Sequence, residues 1–371
     1  MTASNRQFSG TCMTPEFPRG PRDRSFIKRF VVIALIVSVT GALLAAVLTS
    51  GRDPIVLLNI FTIRFLGIFI EAAPFLLLGA FASGLIDAFV RPDDIARLMP
   101  KNPVLATFAG AGLGFFFPVC ECGVVPVVRR LYGKGLPMSV GVAFLLAAPV
   151  INPIVLVATY VAYGFGPVLI GRFVLTFAVA VAVGLVFMAA ARPRDVLRPT
   201  SLSRLSLAAP RGGMDSATPA DVVAVAKVAP PRRTLKDGFR SAVFTAIDDF
   251  FDMGRYLVIG TVLAATMQTF ISQETLTQLG SGPIGSVLVL QLVAFVLSVC
   301  STVDAFISLA FVNTFTPGAI IAFLVFGPMV DIKALLMYSG VFRLRVVLYL
   351  FLLPMLLVML AAIWINLNIP L

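Results

Sequence analysis

The sequence predicts an all-α polytopic membrane protein made of two inverted-topology repeats with broken or re-entrant helices, preceded by an extra N-terminal transmembrane helix. Three observations lead there. The chain of 371 residues is 59% hydrophobic and 13% charged, with a mean hydropathy of +0.99, and its apolar runs reach the ~20 residues that a bilayer crossing requires. Two cysteine-bearing stretches repeat each other. Cys120 and Pro137 match Cys300 and Pro317 at a constant offset, and dropping one residue before Ala322 brings Pro149 and Asn152 onto Pro328 and Asp331. Lys and Arg, finally, crowd some loops and are missing from others.

The elements follow in order. Residues 1–29, rich in Arg, Pro and Ser, predict a disordered basic cytoplasmic tail. The apolar run within 30–49 follows a long charged lead, which favours a retained transmembrane anchor over a cleaved signal peptide. Repeat A, 55–191, divides into a long helix (57–90), a broken segment (104–131) and two further spans (137–162 and 168–191). A flexible basic linker, 192–238, joins it to repeat B, 239–367, which divides in the same way into 242–271, 284–311, 317–338 and 346–366. The long helices match as well: Glu71, Phe75 and Gly79 fall on Asp252, Tyr256 and Gly260.

The basic residues fix the expected orientation. If each broken segment dips into the membrane and returns, then Arg91, Arg97 and Lys101, next Arg129, Arg130 and Lys134, and then the linker all lie inside, as the positive-inside bias requires. The corresponding loops of repeat B, 272–282 and 313–316, have no Lys or Arg and fall outside. Inverted repeats whose broken helices meet near the midplane characterise secondary transporters. The net charge of +11 therefore reports topology in a cell-membrane protein and gives no reason to expect nucleic acid as a partner. Four cysteines, with Cys12 in the tail and Cys120, Cys122 and Cys300 in apolar sequence, form no secreted disulfide framework. There is no histidine, so a metal would need thiolates or carboxylates.

Candidate site residues gather at the breaks. Gly110, Gly112, Gly114, Pro118 and Gly123 bracket Cys120, Glu121 and Cys122, which suits an interrupted helix facing a cavity. A carboxylate at that depth is a functional hypothesis in its own right. Cys300, Ser301, Thr302 and Asp304 add a third thiol, two hydroxyls and a carboxylate. Three convergent thiols suit a soft, thiophilic solute; the alternative is that the cysteines are small packing residues. Asn152 and Asp331, each three residues after a proline, either line the same cavity or cap half-helices. Glu121, Asp304, Asp252 and Glu71 are candidates for proton coupling. Asp248, Asp252 and Arg255 share a helix face, so Asp252 with Arg255 also reads as a buried pair. Arg172 and Lys333, near span ends, are expected to snorkel to the interface.

At these residues the chain resembles the predicted permease family that includes the organoarsenical efflux permeases. The resemblance rests on Phe116-Phe117-Pro118-Val119-Cys120-Glu121-Cys122-Gly123, on Ala147-Ala148-Pro149-Val150-Ile151-Asn152-Pro153, on Cys300-Ser301-Thr302-Val303-Asp304-Ala305-Phe306 and on Phe326-Gly327-Pro328-Met329-Val330-Asp331. It covers about residues 60 to 360. It implies an inner-membrane permease rather than an enzyme, without a cofactor, that exports trivalent organoarsenicals, with a second membrane protein as a plausible partner. No Gly-x-x-x-x-Gly-Lys loop is present. Two alternatives stay open: the permease subunit of a multi-component metal transport system, and a membrane thiol-redox or assembly factor.

Overall fold

The computed structural model describes residues 54–117, 120–190, 235–270 and 282–368. The expected tail, the anchor and all but the end of the linker lie outside these residues. Among the described residues are thirteen α-helices, one 3-10 turn and no strand. The first half holds α1 (Pro54–Phe89), α2 (Pro92–Leu98), α3 (Pro103–Phe116), α4 (Glu121–Gly133), α5 (Met138–Ile151), α6 (Pro153–Tyr163) and α7 (Pro167–Ala190). The second holds α8 (Leu235–Phe270), α9 (Gly285–Leu297), α10 (Asp304–Ser308) with the turn Leu309–Phe311, α11 (Pro317–Met329), α12 (Ile332–Val341) and α13 (Leu344–Asn368).

The two halves thus share one order: a long helix, two interrupted segments and a straight helix. The interruptions fall between α3 and α4, between α5 and α6, between α9 and α10, and between α11 and α12. The sequence does not lead one to expect the short α2, and α8 begins at Leu235, ahead of its apolar stretch. Six segments are long and apolar enough to cross a bilayer: α1, α5 with α6, α7, α8, α11 with α12, and α13. Each of the long helices α1 and α8 has 36 residues, or about 54 Å at 1.5 Å per residue. Both outreach a hydrocarbon core of about 30 Å.

The core is the pair of interrupted spans. Every residue of α5 is buried, and so is nearly all of α11. Around them, α3 and α7 pack on α5, and α9 and α13 pack on α11. The outer helices turn large apolar side chains outward, among them Ile63, Leu77, Val174 and Leu348, as lipid contact demands. Lipid supplies no hydrophobic drive for helix association, so close approach of small residues does that work. A Cβ on Gly79 would strike the backbone of Gly123, which brings α1 directly against α4, and a Cβ on Gly114 would meet Ala148 of α5 at 2.8–2.9 Å.

Of the glycines expected to break the 104–131 segment, Gly110, Gly114 and Gly123 are contact points in its packing, and Gly112 faces open space. Gly110 and Gly114 lie within α3 against α5, Gly123 lies in the first turn of α4, and the break itself falls between Phe116 and Glu121. The halves differ in one respect. Helices α1 and α8 run together and cover α4 and α12, whereas α6 and α10 meet each other on another side of the core.

Candidate functional site

Besides Arg129 and Arg130 of α4, which pair with Asp252 and Asp249 of α8, two sets of buried charge join the halves, one where α4 meets α12 and one where α6 and α7 meet α10. The first is a pocket lined by Glu71, Ala72 and Phe75 of α1, Cys120, Glu121 and Cys122 at the start of α4, Cys300 in the break after α9, and Lys333 of α12. It is a narrow cleft whose lining side chains lie too close together to leave room for a water-sized sphere between them. All three cysteines are buried free thiols.

Local folding explains why these groups converge. Cys120 is the N-cap of α4, so Glu121 and Cys122 occupy its first turn, where the helix dipole favours a negative charge. Asp331 caps α12, its Oδ1 accepting from the Ala334 amide at 2.6 Å. Lys333 then follows in the first turn of α12. Its Nζ lies 3.5 Å from Glu121 Oε1 and 3.4 Å from Asp331 Oδ2, and it donates to the Ser298 carbonyl at 2.6 Å. Among the described residues, Glu121 Oε2 and Asp331 Oδ2 find no hydrogen-bond partner.

Ser298 makes this possible. It ends α9 in the left-handed region at φ 46°, which is costly for a residue with a side chain. Its hydroxyl donates to the Phe295 carbonyl at 3.2 Å and accepts from the Ile332 amide at 3.3 Å. The strained turn is thereby held with its carbonyl facing Lys333, an arrangement typical of sites where strain serves a purpose.

The second set is tighter. Arg172 of α7 grips Asp304 with two parallel hydrogen bonds, at 3.0 Å and 2.8 Å, and also donates to Thr159 Oγ1 at 2.9 Å and to the Ser301 carbonyl at 3.3 Å. Tyr163 and Ser308 share a hydrogen bond of 2.7 Å beside it.

The expected snorkelling of Arg172 and Lys333 is thus overturned. Their exposures are 0% and 2%. A charge so deep is held by an ion pair, and each of these finds its carboxylate on a neighbouring segment that sequence position does not reveal. Lys333 and Arg172 are the functional-site residues that sequence reasoning places wrongly. The available signal was their position within apolar spans, where a cation needs a named partner.

The remaining expected residues divide between the two sets. Cys120, Glu121, Cys122 and Cys300 share the pocket with Glu71, and Asp331 reaches it through Lys333. Ser301 and Asp304 belong to the Arg172 set, and Thr302 lies 3.5 Å from Cys300 Sγ. Asn152 caps α6, accepting from the Val155 amide at 3.0 Å. Asp252 is elsewhere, bonded to Arg129 at 2.7 Å and Arg255 at 2.6 Å. Arg129 stands eight residues along α4 from Glu121, about 12 Å by helical rise. Beside it, Asp249 accepts from Arg130 at 3.1 and 3.0 Å and from Ser83 at 2.6 Å. Asp248, on the face expected to matter, is exposed. Among the described residues no three of Cys, Asp and Glu come together in a way that would hold a metal ion.

A model of the family described as predicted permease matches residues 57–367. The chain belongs to this predicted permease family. It is similar to the UPF0718 protein YcgR of Bacillus subtilis (strain 168), at 43% identity over 76% of this chain and 89% of that protein. It is also similar to a protein of Streptococcus mutans serotype c named as a subunit of a two-component membrane permease complex, at 37% identity over 76% of this chain and 87% of that one. No solved structure matches. The matched span includes both buried charge sets, so they belong to the permease unit itself.

Proposed function

We propose that this permease is a secondary-active exporter of a small thiophilic solute, in the class of trivalent organoarsenicals, working by alternating access. The single observation that carries the reading is the meeting of three free thiols from both halves, with Glu121, in one pocket. A trivalent arsenical bearing two hydroxyls exchanges each for a thiol. Two As–O bonds break, two As–S bonds form, and the thiol protons leave with the hydroxyls as water, without change of oxidation state. Soft sulfur ligands favour such a centre over hard cations. Asp331 reaches this pocket through Lys333 and Thr302 through Cys300, while Ser301 and Asp304 bond to Arg172 and Asn152 caps α6, so these three support the site from outside its lining.

The reading carries an architecture with it: two inverted repeats, interrupted segments that re-enter, and the N-terminus and linker on the cytoplasmic side of the cell membrane. The matching order of elements and the interrupted buried spans support it. Glu121 is the first candidate for proton coupling, ahead of Glu71, Asp252 and Asp304, because one of its oxygens is unpartnered at the pocket. The deciding experiment is uptake of a labelled trivalent phenylarsenical by everted membrane vesicles, comparing the parent chain with one carrying Cys120→Ser, Cys122→Ser and Cys300→Ser. Gradient-dependent accumulation that vanishes in the variant is expected. Accumulation that survives it removes the thiols from the path.

A second reading comes from the Streptococcus mutans relative, whose name describes a complex of two components. Under it this chain works as one subunit beside another membrane protein. Co-purification of a second chain in constant ratio from the native membrane is the expected result, and a chain that purifies and transports alone removes the need for one.

A further inference from the structure

We infer that Lys333 is the coupling residue of this pocket, a tethered cation shared by Glu121 and Asp331 when the site is empty that gives up Glu121 to a positively polarised cargo. The inference rests on the pocket being the cargo site and adds what the empty carrier does.

Four observations carry it. The Lys333 ammonium is 2% exposed and faces two carboxylates on different segments, so it offsets charges that would otherwise be buried without compensation. Its contacts to them are loose, at 3.5 and 3.4 Å, beyond the length of a strong charge-assisted hydrogen bond. Its one short bond, at 2.6 Å, goes to the carbonyl of the strained Ser298. Glu121 Oε2, buried and lining the pocket, has no hydrogen-bond partner among the described residues. An ammonium built only to stabilise the fold would be expected in the geometry seen at Arg172, where both carboxylate oxygens are engaged.

The position of the pair adds the mechanical link. Glu121 stands on α4, pressed against α1 through Gly79 and Gly123, while Lys333 stands on α12, pressed against α8 at Gly260. The Glu121 to Lys333 contact therefore spans the two halves. Any movement that opens the pocket along that seam lengthens it, and a cargo with a Lewis-acidic centre takes its place against Glu121. A loaded carrier can shuttle without Lys333. The empty carrier needs it, because without it the return step buries a net charge of two carboxylates where the intact site buries one.

This predicts a split between two fluxes. Net, gradient-driven transport requires the empty carrier to return; exchange of labelled for unlabelled cargo does not. Purified protein in liposomes, with a trivalent phenylarsenical as the probe, reads both. Replacing Lys333 by Gln should lower the ratio of net to exchange flux by about tenfold or more, and Lys333→Arg, which keeps the charge, should restore part of it. Should Lys333→Gln fail to fold, Lys333→Met, which keeps the apolar stem, takes its place, with the same fall in ratio expected because both carboxylates again lose their cation. A ratio equal to that of the parent chain overturns the inference, as does parallel loss of both fluxes in a well-folded variant, which makes Lys333 a binding or structural residue. A parent chain showing neither flux overturns instead the proposed cargo.

Discussion

Among the buried ion pairs that join the halves, those of Arg172 and of Lys333 are built to different standards. Arg172 and Asp304 form a fork in which both carboxylate oxygens are bonded, backed by Thr159 and the Ser301 carbonyl, with only Arg172 Nε lacking a partner among the described residues. Lys333, Glu121 and Asp331 form a loose triad, with two carboxylate oxygens lacking hydrogen bonds and a pocket of thiols beside it. The tight pair holds α7 to α10. The loose one lies on the α4–α12 seam beneath the paired long helices. Equal burial does not mean equal satisfaction: the fork bonds both oxygens of its carboxylate, while the triad beside the thiols leaves an oxygen on each of its two carboxylates without a hydrogen bond among the described residues.

The largest effect tests that contrast directly. Removing one partner of the tight pair, as in Arg172→Leu, leaves a buried uncompensated carboxylate and should cost about 3–5 kcal/mol of stability, read as a large fall in the thermal unfolding midpoint in detergent. Replacing both partners, Arg172→Leu with Asp304→Leu, should recover most of it. A single variant as stable as the parent chain would erase the distinction between the pairs.

Next is the packing beneath the pocket. Gly79→Ala puts a methyl group into the backbone of Gly123, so α1 must move away from α4. The expected cost is about 1–3 kcal/mol, together with weaker binding of a trivalent phenylarsenical, measured by protection of the cysteines from a thiol reagent. Unchanged protection would show that α1 does not shape the pocket. Asn152→Ala sharpens the comparison from the other side. It removes the cap of α6, which carries Thr159 and Tyr163 into the tight set, and should cost about 1 kcal/mol with cysteine protection unaltered. The smallest effect belongs to Arg255, whose side chain is 57% exposed beside Asp252. Arg255→Gln should change stability by about 0–1 kcal/mol, and a larger fall in the unfolding midpoint would promote the Asp252 network to a structural role comparable with the Arg172 pair.

Much of the fold is written in local pattern. The apolar runs, the prolines that open α3, α6 and α11, and the repeated order of segments could all be read without the structure, because span length and helix starts depend on residues near one another in the chain. The breaks were legible for the same reason, although the glycines around Cys120 were legible only as breakers. Their service as contact points at Val140, Ala148 and Gly79 depends on partners far along the chain. Asn152 and Asp331 show the boundary well. Their place after a proline announced a polar group at a helix start, and only the structure decided that both cap, through the Val155 and Ala334 amides.

The sequence by itself determined that this is a multi-pass helical membrane protein of a permease family, that its interrupted spans carry the polar residues, and that thiols and a carboxylate cluster at one break. These are matters of composition, period and motif. The tertiary structure alone decided which charges pair. It took Lys333 and Arg172 from the interface, where their flexible stems might equally have carried them, into the interior. It divided one expected cavity into a loose thiol-lined pocket and a tight fork. Pairing across the halves is a property of helix packing, and the energy of a buried charge depends on the partner that packing brings to it rather than on its own neighbours in sequence.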